Sequence, residues 1–161
     1  MMVSFCQRDE SKYNLHLNKD KRTHEELHLL ALLKTCAKLQ DYKRGAWFHA
    51  EVARMGLIEE DLFVGSAIVN MYAKCGSFVK AREVFDGLTI RNVVSWNTLI
   101  SSYADHSYGE ESLISLEEMM LEGILPNSIT SLSGLKACGI LGDVERGHII
   151  HACIEKKGFN A

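Results

Sequence analysis

Leu32 to Gly56, LLKTCAKLQDYKRGAWFHAEVARMG, and Gly134 to Gly158, GLKACGILGDVERGHIIHACIEKKG, align without a gap at an offset of 102 residues. Leu33/Leu135, Lys34/Lys136, Cys36/Cys138, Leu39/Leu141, Asp41/Asp143, Arg44/Arg146, Gly45/Gly147, His49/His151, Ala50/Ala152 and Gly56/Gly158 are identical. Identities spread over charged, small and apolar types mark a repeated unit, not a shared composition. A chain that repeats itself at a period of a few tens of residues folds as a solenoid, and its stacked units form an extended binding surface.

Two further units of the same build lie between these stretches. Ala67, Ile68, Met71, Tyr72 and Cys75 fall on one face of a helix. A turn at CGS follows, and Phe78, Ala81, Val84, Phe85 and Leu88 mark a second helix. Trp96, Leu99, Ile100, Tyr103 and Ala104 then repeat the first pattern, and Leu113, Leu116, Met119 and Met120 the second, across a turn at HSYG. The outer units turn at LQD and LGD in the same place. Gly56, Gly123 and Gly158 stand where each second helix should stop in a left-handed cap. Thr23 with Glu26 fits a capping box at the start. The pattern is all-α, with about eight helices in four antiparallel hairpins, and no stretch alternates for long enough to suggest a sheet. Registered on their glycines, the units run 26–61, 62–92, 93–127 and 128–161, after a leader of residues 1–25. A single hairpin cannot bury both its apolar faces, so neighbours stack and the first helices line one side. A ligand is expected on that side.

Composition narrows the classes. The chain has 161 residues, 47% hydrophobic and 24% charged, with one proline, so it is sized and built as one globular domain. A net charge of −3 weighs against a strongly basic nucleic-acid binder. Five cysteines without a CxxC pair, with Cys36, Cys75 and Cys138 at the ends of apolar stretches, read as core residues of a reduced protein. No apolar run approaches the ~20 residues that span a bilayer. The leader mixes acidic with basic residues, unlike an organelle transit peptide. His148 and His151 are three apart, but His49 recurs at the place of His151, which favours a packing position over a metal site. Trp47 and Trp96 are read as packing residues. No HxE…PCxxC deaminase signature, Walker loop or nucleophile elbow is present, so neither an enzyme nor a cofactor is expected.

The phrases DLFVGSAIVNMYAKCGSFVKAREVFD, RNVVSWNTLISSYA and EEMMLEGILPN, with the two long stretches above, resemble the pentatricopeptide repeat family. The closer likeness is to its plant subclass of long, short and standard motifs, here in the order long, short, standard, long. Residues 26–161, about 85% of the chain, are covered. The tetratricopeptide family shares the architecture, but its near-constant 34-residue period fits unit lengths of 36, 31 and 35 poorly.

The resemblance implies a right-handed α-solenoid that binds single-stranded RNA, one base per repeat, read by two or three side chains. It assigns base reading to the fifth and last residues of a motif: Ser66 and Asn92 in the short motif, Asn97 and Asn127 in the standard one. It assigns base sandwiching to the second residue, Phe63, Val94 and Ile129. Lys38 and Lys74 match its phosphate-contacting position, where the later units carry Asp105 and Ile140 instead. The implied core is 5′-A-pyrimidine, cytosine before uracil. The long motifs carry Leu30 and Leu132 at the fifth position and receive no base. The implied role is specificity in C-to-U RNA editing or RNA processing in a mitochondrion or chloroplast, with a deaminase or other editing proteins in trans. Ser66, Asn97 and Asn127 also suit helix capping, most simply Asn127 after Pro126. The alternative function is a protein-interaction scaffold.

Overall fold

The structure, a computed structural model, describes residues 24–156. Regular structure among them is entirely helical: α1 (His24–Leu39), α2 (Tyr42–Arg54), α3 (Leu57–Glu60), α4 (Leu62–Lys74), α5 (Phe78–Asp86), α6 (Val93–Asp105), α7 (Gly109–Leu121), α8 (Ser128–Leu141) and α9 (Val144–Lys156). The eight long helices form the four expected hairpins. The first begins at His24, inside the expected leader; the capping site at Thr23 and the cap at Gly158 lie outside the described residues. The short α3 was not expected. Gly56, at φ 72°, reverses the chain, and Leu57 then turns into the core with 7% of its surface exposed, winding one extra turn before Asp61 caps α4.

All four hairpin turns are closed the same way. Gln40, Gly76, Ser107 and Gly142 have φ of 54°, 76°, 67° and 67°. In each turn the next residue's N–H donates to a carbonyl five residues back, at 2.9 to 3.0 Å: Asp41 to Cys36, Ser77 to Tyr72, Tyr108 to Tyr103 and Asp143 to Cys138. This is the Schellman closure of a helix. Two of the four left-handed residues carry side chains, so the repeated closure overrides the usual preference for glycine there.

The first helices α1, α4, α6 and α8 pack in a row, each against the next, and every one pairs with its own second helix. Second helices lean on the following first helix; α5 and α7 are joined through the long side chains of Arg82 and Glu118, 2.8 Å apart. The core runs down the middle of the row. α4 buries Val64, Ile68, Val69, Met71 and Tyr72, and α6 buries Trp96, Leu99, Ile100 and Tyr103, with Phe85 of α5 edge-on to Trp96 at 4.6 Å. Each fully buried large apolar side chain contributes about 1.5–3 kcal/mol relative to leaving it exposed. α9 buries none, so the stabilisation is concentrated in the centre.

The offset of 102 residues has a structural meaning. Asp41 and Asp143 each cap a second helix by accepting from the backbone N–H of Arg44 and Arg146, at 3.1 and 3.0 Å. Leu33, Cys36 and Gly45 are buried beneath α4 and neighbouring elements. Leu135 and Gly147, their equivalents beside Cys138, line an open depression with Val144 and His151. Among the cysteines, Cys36 and Cys138 are buried as expected, but Cys75 is half-buried and Cys153 exposed. Trp96 is 1% exposed; Trp47, expected to pack, is 62% exposed and touches only the edge of Phe48 among the described aromatic rings. It sits on α2 facing away from the row of first helices that would cover it.

Candidate nucleic-acid interface

Three first helices begin in the same way. Asp61, Asn92 and Asn127 precede α4, α6 and α8, and each side-chain oxygen accepts the N–H of the second helical residue: Phe63 at 2.8 Å, Val94 at 2.9 Å and Ile129 at 3.0 Å. At Asn92 and Asn127 the cap closes into a box. Each Oδ1 also takes the N–H of the third residue, and that residue's hydroxyl, Ser95 or Thr130, takes the asparagine's own N–H. These bonds satisfy donors that a helix start leaves without partners. The expectation that Asn127 caps a helix holds, and Asn92 does the same. Ser66 and Asn97 are not caps: both lie one turn inside their helices.

The cap sets what stands beside it. Phe63, Val94 and Ile129, each the second residue of its helix, are 41%, 49% and 55% exposed, so three apolar side chains recur at one helical position on successive hairpins. Ser66 and Asn97, three residues further on, are each 8% exposed. Ser66 Oγ donates to the Leu62 carbonyl at 2.9 Å and no described hydrogen bond joins it to Asn92. Asn97 does meet Asn127: its Nδ2 donates to Asn127 Oδ1 at 3.1 Å, and its Oδ1 accepts from Thr130 Oγ1 at 2.5 Å. A hydrogen bond thus joins the expected pair of the third hairpin, and none described joins that of the second.

Charge along the first helices is uneven. Lys38 is exposed in the last turn of α1 and Lys74 half-buried in the last turn of α4. At the same helical position Asp105 is paired with Lys136 of α8 at 2.7 Å, and Ile140 is 40% exposed. Burial, and then the nearby Asp41 and Asp143, push the Cys36 and Cys138 thiols up, so both stay protonated and unreactive. His49 accepts or donates a 2.9 Å bond with Tyr72 Oη, and burial and then Lys80 hold its imidazole below the ordinary value, in the neutral form at pH 7. Among the described residues no three His, Cys, Asp or Glu side chains are grouped to hold a metal, and no helix is long and apolar enough to cross a membrane. Sequence reasoning missed Thr130 and Ser95. An Asn-x-x-Ser/Thr box at each helix start was the available signal.

A row of first helices, three of them capped alike and α4 and α6 each carrying an exposed apolar second residue and a small polar fifth residue, defines a helical-repeat solenoid. The PPR repeat model matches residues 66–93 and 94–124. A mitochondrial pentatricopeptide repeat-containing protein of Arabidopsis thaliana is 38% identical over 80% of this chain and 18% of its own length. A chloroplastic one from the same organism is 37% identical over 82% of this chain and 16% of its own. The chain therefore spans less than a fifth of these two relatives. Among solved structures, the pentatricopeptide repeat protein PPR10 in complex with an 18-nucleotide psaJ RNA element superposes with a TM-score of 0.73 at 21% identity. It covers 94% of this chain and 22% of that one. These findings support the pentatricopeptide repeat family for this chain.

Proposed function

We propose that the chain binds single-stranded RNA in a plant organelle, one base per repeat, as part of a specificity factor for C-to-U editing or RNA processing. One observation carries the reading: α4 and α6 each set a small polar side chain one turn inside a helix whose start is capped by asparagine or aspartate and flanked by an exposed apolar residue. Each asparagine cap spends Oδ1 on the backbone and leaves its Nδ2 hydrogens for a base edge. Ser66 with Asn92, and Asn97 with Asn127, are the readers of a 5′-A-pyrimidine core. Phe63, Val94 and Ile129 sandwich the bases, and Lys38 and Lys74 hold phosphate. The RNA bound by PPR10 and the organelle names of the relatives support the setting. A deaminase or other editing protein acts in trans.

A second reading, a scaffold that docks other proteins, is favoured by the Asp105–Lys136 pair, which places a carboxylate where phosphate would lie, and by Leu132, 69% exposed at the fifth position of α8. Fluorescence anisotropy separates the two. Short RNAs carrying AC, GC, AG or GG at the core are titrated at low and near-physiological salt, against the wild type and a Ser66→Ala, Asn97→Ala variant. Preference for AC that the variant loses is the expected result. Equal binding to all four RNAs that vanishes with salt, or none, removes base recognition and leaves the scaffold.

A further inference from the structure

We infer that Thr130, from the following hairpin, is the positioning residue that locks Asn97 into a donor-only face and so makes the third hairpin select cytosine over uracil. The inference rests on the RNA-binding reading above. Its starting point is Asn127, whose Oδ1 is committed to the N–H groups of Ile129 and Thr130 at 3.0 and 3.1 Å. Because that oxygen faces Asn97, Asn97 must turn Nδ2 toward it; the flipped amide would set two acceptors against each other across 3.1 Å. Asn97 Oδ1 then points the other way, where the buried Thr130 hydroxyl donates to it at 2.5 Å. That hydroxyl also lies 3.0 Å from Asn127 Oδ1, but its single proton goes to the nearer acceptor, since Asn127 Oδ1 already receives three N–H donors.

Asn97 Oδ1 is therefore turned toward Thr130, and the amide is held in one orientation. Away from Thr130 that orientation presents donors: the second hydrogen of Asn97 Nδ2 and the Nδ2 hydrogens of Asn127, which make no hydrogen bond to other described residues. Cytosine offers two adjacent acceptors, O2 and N3, on its pairing edge. Uracil offers a donor at N3, which would meet a donor here. Leaving buried donors facing each other is costly, and a mismatch of this kind corresponds to about tenfold in affinity. Once the Thr130 hydroxyl is gone, Asn97 Oδ1 loses its partner and only the Asn127 contact still opposes a turned amide, so accepting from uracil becomes less costly.

The test compares AC and AU core RNAs by anisotropy for wild type, Thr130→Val and Thr130→Ser, with AC and GC as the control for the base facing Ser66 and Asn92. The expected result is a C-over-U preference of about tenfold in the wild type, kept by Thr130→Ser and reduced below about threefold in Thr130→Val, with the A-over-G preference unchanged. A Thr130→Val chain that keeps its C-over-U preference overturns the inference. So does one that loses affinity for every RNA equally, since that marks a structural role alone. A wild type with no base preference overturns the base-recognition reading and this inference with it. One measurement needs neither variant nor RNA. Side-chain amide NMR of the wild-type chain should show Asn97 Nδ2 hydrogens exchanging slowly with water, and exchange as fast as that of an exposed asparagine overturns the lock.

Discussion

Gly45 and Gly147 are the same residue in the repeat and stand in different surroundings. A Cβ on Gly45 would lie 2.2 Å from Sδ and 2.8 Å from Cε of Met71, which is fully buried and has little room to move aside. A Cβ on Gly147 meets only Cys138 Cβ at 3.6 Å, an ordinary contact. Replacing a mid-helix glycine by alanine gains about 1 kcal/mol from helix propensity, whereas overfilling a packed core costs about 1–3 kcal/mol. Gly45→Ala should therefore lower the melting temperature by several degrees, and Gly147→Ala should hold or raise it, as read by circular dichroism. A Gly45→Ala chain as stable as the wild type would show that Met71 yields. The identity of these glycines was legible in the sequence, but the contrast between them was not. It depends on which hairpin covers which face, and an alignment of a chain with itself carries no contacts.

At the scale of the helix, Asn92 and Asn127 start α6 and α8 through Oδ1, and the proposed base reading would use Nδ2 instead. Substitution by alanine removes both and costs about 0.5–2 kcal/mol at a cap, so loss of RNA binding in such a variant says little about base reading. Aspartate separates them, because it caps equally well, suits the positive end of the helix dipole, and has no amide hydrogens. Asn92→Asp and Asn127→Asp should each melt within about 0.5 kcal/mol of the wild type and still change the preferred base at their own position. A change in stability without a change in base preference would assign these asparagines to capping alone. The helices and turns were legible because apolar spacing and turn residues act locally. The family resemblance paired Asn97 with Asn127, but the closure of that pair by Thr130 was not legible, because it needs the register of α6 against α8.

The whole molecule is a row in which each hairpin leans on its neighbours, so its stability varies along its length. α6 packs against first helices on both sides, α4 and α8, besides α5 and α7, and buries Trp96 and Tyr103. α9 packs against α8, reaches α7 only through the Arg146–Glu110 ion pair among the described contacts, and buries no side chain. Its ion pairs, Arg146 to Asp143 at 2.6 Å and to Glu110 at 3.1 Å, are only partly buried, and pairs near the surface contribute about 0–1 kcal/mol. Opening should therefore begin at α9 and move inward through α8, with α4 and α6 released only by global unfolding. Hydrogen exchange read by mass spectrometry should show amides of α9 exchanging at least about tenfold faster than those of α6. A chain that unfolds as one cooperative unit would instead give the interior amides of both helices the same protection. Because the Asn97–Asn127–Thr130 contact joins α6 to the start of α8, its integrity depends on α8 staying docked. RNA bound across it should slow exchange in α8 and leave α9 unchanged; protection that spreads to α9 would place the ligand on the open face by Gly147.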